Sequence, residues 1–435
     1  MNVFNKLMAS SFVSNLLIVM SGTAIAQIFA FSISPIISRL YSPSDFGVFG
    51  SFNSVLSIIA AGVTLDYSQA IMLPKQKSDA FKLFLLSCVS TSIISFFSLA
   101  VCVLAPVQIQ ILMKTTNVWI LFMLILSVLM VGINQSCQAW CVRVKSFKDT
   151  SFSQLSRSLT SNGVQLGLGY LKGGALALIV ATILGEVIAT MNLARVMFRD
   201  LKELRIDSNW KRMWHLAKEY RDFPLYSASM SVANQLSQDL PIFLLAHFYG
   251  IEMAGAYAFG LRILSTPMLF LLRALRQVLY QKASETHYNG GHLLDLFMKI
   301  TAGLFFVALL PSLLLVIWAP QLFSWIFGSQ WQMAGELARS LVLWMLFMFC
   351  NVPAVLFARI LRLQQKLFLY DLVLLALRVS VLVYGGMYLS VTNTVMLFSV
   401  VGSIMNINFI IIIGLALARG EGYSGLSAIL SNLKN

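Results

Sequence analysis

Asn117-Val-Trp-Ile-Leu-Phe-Met-Leu-Ile-Leu-Ser-Val-Leu-Met-Val-Gly-Ile-Asn-Gln-Ser-Cys-Gln-Ala-Trp140 runs for twenty-four residues without a charged side chain. At about 1.5 Å of rise per residue, a helix of this length crosses the hydrocarbon core of a bilayer, which is about 30 Å thick. Similar stretches follow one another along the 435-residue chain. They predict spans at 14–38, 46–70, 82–105, 117–140, 152–171, 175–197, 223–248, 253–280, 296–318, 336–360, 367–389 and 393–417. Composition agrees: 58% of residues are hydrophobic, 11% are charged and the mean hydropathy is +0.80. A soluble domain carries about 25% charged residues. The apolar runs are about twenty residues long rather than alternating ten-residue segments, which argues against a membrane β-barrel. The expected fold is all-α, a polytopic membrane protein of about 12 transmembrane helices.

Breaks between spans carry Pro, Gly and charge, as in Tyr41-Ser-Pro-Ser-Asp45, Pro74-Lys-Gln-Lys77 and Lys172-Gly-Gly174. The first span contains Ser21, Thr23 and Gln27 and reaches Leu40, so it reads as retained rather than as a signal peptide. With the N-terminus inside, twenty-four of the 31 Lys and Arg fall in loops or span ends on one side, three fall on the other, and four lie deeper within spans. The positive-inside rule therefore predicts cytoplasmic termini. The same distribution accounts for the net charge of +14 through loops facing an anionic leaflet, without a nucleic-acid partner. The five cysteines fall within predicted spans or, for Cys141, one residue past the end of one, where they serve as small hydrophobes; with no His or carboxylate beside Cys137 and Cys141, no metal site is expected.

The longest connection, 198–222, is basic and includes Trp210-Lys-Arg-Met-Trp-His-Leu-Ala-Lys218, which reads as partly helical. It separates six spans from six, giving an N-terminal bundle over 1–197 and a C-terminal bundle over 223–435. An offset of 208 positions places Gln27 on Gln235, Tyr41 on Tyr249 and Gly47-Val-Phe49 on Gly255-Ala-Tyr257. Two pseudo-symmetric six-helix bundles are the expected architecture, with a site between repeats.

Several stretches carry a family resemblance. Gly22-Thr-Ala-Ile-Ala-Gln27, Ser34-Pro35, Arg39-Leu-Tyr-Ser-Pro-Ser-Asp-Phe-Gly47 and Ala70-Ile-Met-Leu-Pro74 resemble the opening of bacterial polysaccharide-biosynthesis export proteins, the Wzx-like O-antigen and oligosaccharide flippases. Tyr220-Arg-Asp-Phe-Pro-Leu-Tyr226, Asn234-Gln-Leu-Ser-Gln-Asp-Leu-Pro241 and Phe259-Gly-Leu-Arg-Ile-Leu264 resemble the start of the second bundle in the same family. The resemblance implies the multidrug/oligosaccharidyl-lipid/polysaccharide exporter fold in a bacterial inner membrane. It also implies translocation of an undecaprenyl-pyrophosphate-linked repeat unit from the cytoplasmic to the periplasmic leaflet. Other glycan-assembly proteins, such as a polymerase and a chain-length regulator, are the expected partners.

Ionisable residues inside spans are costly and mark function by default. A lipid pyrophosphate needs fixed positive charge along its path, and the planar guanidinium fork suits phosphate. On this reading Arg39, Arg157, Arg262 and Arg378 line a cationic, substrate-binding cavity. The competing reading is that each Arg pairs with a buried carboxylate, such as Arg262 with Asp239. Asp239, Asp66 and Glu186, with Gln27 and Gln235, are candidates for H+ or Na+ coupling or for a polar core. Asp239 leads because Gln235, Gln238, Asn234 and Pro241 surround it in sequence and the proline frees a backbone carbonyl.

Gly167-Leu-Gly169 lacks the strand and third glycine of a dinucleotide motif, Asn134-Gln-Ser136 lies inside a span, and no GxxxxGK[ST] occurs. The chain is expected to be a transporter without cofactor, not an enzyme. Two alternatives stand beside the flippase. A multidrug or organic cation exporter would want an anionic cavity, which the mid-span arginines oppose. An integral-membrane polysaccharide polymerase or ligase would want a large outward loop, and the outward connections here are short.

Overall fold

A computed structural model describes residues 11–203, 210–268, 293–361 and 363–419 of the chain. Among them every regular element is helical: α1 Ser11–Leu40, α2 Pro43–Gly62, the single turn α3 Tyr67–Ala70, α4 Lys77–Leu104, α5 Pro106–Met113, α6 Val118–Arg143, α7 Phe147–Tyr170, α8 Gly174–Glu203, α9 Trp210–Glu219, α10 Ser229–Tyr249, α11 over 251–268, α12 Leu293–Phe327, α13 Gln332–Cys350, α14 Val352–Ile360, α15 Gln364–Tyr388 and α16 Val391–Ala418. A π-helical segment, Phe223–Ala228, leads into α10. The twelve predicted spans fall on helical segments, with 46–70 broken by a turn at 63–66 and 336–360 divided between α13 and α14, and 269–280 of the eighth lies outside the described residues. Eight helices among the described residues are long and apolar enough to cross a membrane.

Helix starts follow local chemistry. Ser42 and Asp45 form a reciprocal capping box at α2, with Pro43 in the first turn, where its missing N–H is no loss. The same Asp45 carboxylate accepts from the Ala175 N–H at 3.0 Å, so one side chain caps two helices. Asn117 caps α6 and Ser390 caps α16 in the same way.

The chain forms two compact units, Met1–Gly255 and Ala256–Asn435. In the first, α7 packs between α1 and α8, α6 packs between α4 and α8, and α10 runs along α2. Its core gathers Tyr67, Ile71, Phe81, Phe84, Trp140 and Leu193, with the Phe81 and Trp140 rings edge-to-face at 5.8 Å. Small residues let the backbones close up, as at Gly132, which lies against Thr91, and at the Ser87–Ser136 hydrogen bond. The basic connection holds the amphipathic α9, whose Met213 and Leu216 are buried. Arg212 of α9 forks onto Asp79 of α4 at 2.6 and 3.3 Å.

In the second unit, α13 packs against α12 and α16, and α15 packs against α16. Phe297, Phe357, Phe409 and Ile413 form one core cluster. Asn351 donates to Asn406 at 2.7 Å, and Asn406 in turn donates to the Gly402 carbonyl, so a chain of amide hydrogen bonds links α13–α14 to α16. Outward-facing residues of α12 such as Phe306, Val307 and Leu310 are about two-thirds exposed or more. Water would not tolerate such a face, but lipid does. The chain is a multi-pass membrane protein.

Candidate substrate cavity

The α2 helix ends at Gly62, and the chain turns through Leu65 and Asp66, which both adopt left-handed backbone at φ 49° and 55°. Non-glycine residues take that conformation at a cost, and Asp bears it better than most. The turn aims the buried Asp66 side chain toward the π-helical segment and α10, where Ser227 of the first and Ser231 of the second both donate to one carboxylate oxygen. Thr64 and Ser68 bond across the same turn at 3.0 Å. The far side of the break is held by Arg143, whose guanidinium donates to the carbonyls of Ile71 and Pro74, each at 2.7 Å.

Beside this break, within the first unit, lies a cavity of about 780 Å³ between the α2–α3 corner, α6 and α10. Its polar lining comprises Asp66, Ser68, Ser231 and six amides: Gln69, Gln135, Gln138, Asn234, Gln235 and Gln238. Among the described residues neither Lys nor Arg lines it. The spacing explains the convergence: Gln135 and Gln138 lie one turn apart on α6, and Asn234 and Gln238 lie one turn apart on α10. Gln135 donates to the Ala60 carbonyl at 3.2 Å, and Gln238 donates to Asn234 at 2.7 Å. Gln235 donates to Asp239 at 2.8 Å, and Ser54 donates to the other oxygen of that carboxylate at 3.3 Å.

The residues singled out in the sequence therefore separate. Asp66 and Gln235 line the cavity, and Asp239 lies one hydrogen bond behind it. Glu186 and Arg157 meet on neighbouring helices α8 and α7 as an ion pair with a nitrogen–oxygen distance of 2.8 Å. The glutamate is buried while half of the arginine side chain is exposed. Gly185 permits this approach, because a Cβ there would lie 2.9 Å from the Arg157 carbonyl. Gln27 is half-buried on α1, and Arg39 is exposed at that helix's last turn. Arg262 and Arg378 belong to the second unit. Arg262 is half-buried on α11, and Arg378 is buried on α15 with its guanidinium over the rings of Trp344 and Phe398 at 5.3 and 5.4 Å.

Sequence reading passed over Gln69, Gln135 and Gln138. Gln135 sits in the Asn-Gln-Ser triplet dismissed as incidental. Amides recurring at helical spacing on one face of an otherwise apolar span were the available signal.

No curated protein matches the chain. Among solved structures it is similar to an inward-facing multidrug resistance MATE family transporter of the MOP superfamily, at 14% identity and a TM-score of 0.69, covering 91% of this chain and 98% of that one. It is similar to the lipid II flippase MurJ in an inward closed conformation, at 12% identity and a TM-score of 0.71, covering 94% and 92%. It is also similar to an outward-facing MATE family transporter, at 13% identity and a TM-score of 0.62, covering 94% and 95%. At these identities the likeness establishes the fold, one of about twelve helices. The model of the family described as "Polysaccharide biosynthesis protein" matches residues 36–336. That stretch covers most of the chain, including α2, α6 and α10 around the amide-lined cavity, and the chain belongs to this polysaccharide biosynthesis family.

Proposed function

We propose that the protein is a flippase for a lipid-linked oligosaccharide, moving an undecaprenyl-pyrophosphate-linked repeat unit of an O-antigen or related surface polysaccharide from the cytoplasmic to the periplasmic leaflet of a bacterial inner membrane. The observation that carries this reading is a polar, amide-rich cavity inside a membrane-spanning unit of a polysaccharide-biosynthesis family member. A lipid-linked glycan needs such a surface for its head while its polyprenyl tail stays in the bilayer. Translocation runs by alternating access, with both termini cytoplasmic, and the chain acts as a transporter without covalent chemistry. Arg39, Arg262 and Arg378 supply cationic contacts for the pyrophosphate. Asp66 and Asp239 couple transport to H+ or Na+. A polymerase and a chain-length regulator receive the product.

A specific observation also favours a second reading, export of an organic cation: among the described residues the cavity holds the Asp66 carboxylate and no cationic side chain. One experiment separates the two. Depleting the protein in its host should abolish surface glycan and leave lipid-linked repeat units on the cytoplasmic leaflet. Normal glycan display combined with hypersensitivity to lipophilic cations sinks the flippase and supports the exporter.

A further inference from the structure

We infer that the amide-lined cavity of the first unit is a sugar subsite that accepts uncharged rings of the repeat unit and rejects rings bearing a carboxylate. The inference rests on the flippase reading and assigns the chemistry of that same site.

The amides are the first argument. Each carries one acceptor oxygen and two N–H donors, which matches hydroxyl and acetamido groups that both give and receive hydrogen bonds. Six amides facing one space are expensive in a membrane protein unless they meet a polar ligand or one another. They satisfy one another only in part. Among the described residues the Gln69 and Gln138 side chains make no hydrogen bond. Gln135 uses its nitrogen on Ala60 and keeps its oxygen, and Asn234 uses its oxygen on Gln238 and keeps its nitrogen. The cavity thus presents unused donors and acceptors in mixed order. Its volume of about 780 Å³ falls within the range of small-molecule sites, about 300–1,000 Å³. Ala60, Ala61 and Ala139 leave small apolar patches among the amides, suited to the C–H face of a pyranose.

Charge is the second argument. Among the described residues Asp66 is the one ionisable side chain in the lining, and no Lys or Arg offsets it there. A uronate or sialate carboxylate entering this space meets a like charge and no cation among the described residues, and like charges a few ångströms apart repel strongly in a protein interior. The pyrophosphate is excluded for the same reason, so this pocket handles the glycan alone. Selection then follows from the lining: neutral sugars in, acidic sugars out.

The test uses the full chain, purified in lipid nanodiscs, with saturation-transfer NMR as a readout of weak binding. The probes are a neutral disaccharide, N,N′-diacetylchitobiose, and a disaccharide of the same size containing glucuronic acid. The neutral sugar should give saturation transfer and the acidic one should not. Gln69→Ala and Gln138→Leu should each weaken neutral-sugar binding about two- to tenfold, the loss of one net hydrogen bond. Asp66→Asn should admit the acidic sugar. Because Gln69 is exposed, Gln69→Ala keeps the comparison usable if a buried variant does not fold, and the wild-type contrast between probes needs no variant. Failure of the neutral sugar to bind, or equal binding of both sugars, overturns the inference, as does undiminished neutral-sugar binding in both Gln variants. Sugar binding is read without transport, so the two claims fail separately. A chain that binds the neutral sugar yet leaves lipid-linked units unflipped refutes the flippase, and a chain that flips them without discriminating the probes refutes the subsite.

Discussion

Gly47 and Gly255 each back onto the carbonyl of the residue four positions before the other. A Cβ on Gly47 would lie 2.1 Å from the Ile251 oxygen, and one on Gly255 would lie 1.8 Å from the Pro43 oxygen. The offset of 208 that relates the two halves in sequence pairs Pro43 with Ile251 and Gly47 with Gly255. The crossing of α2 with the start of α11 is thus reciprocal, in the way a two-fold contact is. Either Gly→Ala change must push two backbones apart, at about 1–3 kcal/mol for overpacking. Thermal unfolding in detergent should show a lower Tm for Gly47→Ala and Gly255→Ala. Gly163→Ala, an exposed helical site with nothing within 4 Å, should hold or raise Tm.

Asp66 combines a strained backbone with a carboxylate that two serines hold. Asn tolerates the left-handed region and keeps an acceptor oxygen, so Asp66→Asn should fold with a Tm near wild type. Asp66→Val places a β-branched residue at positive φ and should cost about 1–3 kcal/mol. In proteoliposomes, Asp66→Asn should abolish the response of transport to an imposed H+ or Na+ gradient. An unchanged gradient response removes Asp66 from coupling.

Arg157 and Glu186 form an ion pair that can be read in two ways. Arg157→Met strands a buried carboxylate, a loss of about 3–5 kcal/mol for a fully buried pair, and less here because the arginine is half exposed. The double change Arg157→Met with Glu186→Leu should recover most of that stability. Flipping by the stabilised double variant then decides the role: retained flipping makes the pair architectural, whereas lost flipping places Arg157 on the substrate path.

The fork between Arg212 and Asp79 tethers α9 to α4. The arginine is partly exposed, so Arg212→Ala should leave global stability nearly unchanged. Its signature is local: faster amide hydrogen exchange across Trp210–Glu219 with little change in global Tm. Protection that survives in Arg212→Ala assigns the docking of α9 to Met213 and Leu216 instead.

Much of the fold was readable in the chain because the bilayer removes alternatives. A twenty-residue apolar stretch has no water to satisfy its backbone, so it becomes a helix whatever surrounds it. All twelve predicted spans rest on that local rule, whereas the helix at Trp210 rests on its amphipathic spacing. The repeat register was also visible, and it surfaces as the mutual approach of Gly47 and Gly255. The candidate site was legible only in part. Asp66 and Gln235 stood out as polar groups inside spans, but Gln69, Gln135 and Gln138 did not, because a single amide in a span carries little signal until its neighbours are known.

Composition and periodicity by themselves determined a polytopic helical membrane protein, since those properties depend on residues close in sequence and on the solvent around them. Tertiary packing alone decided which polar groups meet. Gln69 sits on a one-turn helix after a left-handed break, Gln138 on α6 and Asn234 on α10, and they share a cavity only because helices far apart in the chain pack side by side. Packing also gave Glu186 the arginine of α7 and gave Asp66 two serines. A carboxylate in a low-dielectric interior takes the partner its neighbouring helix offers, and sequence order does not record that neighbour.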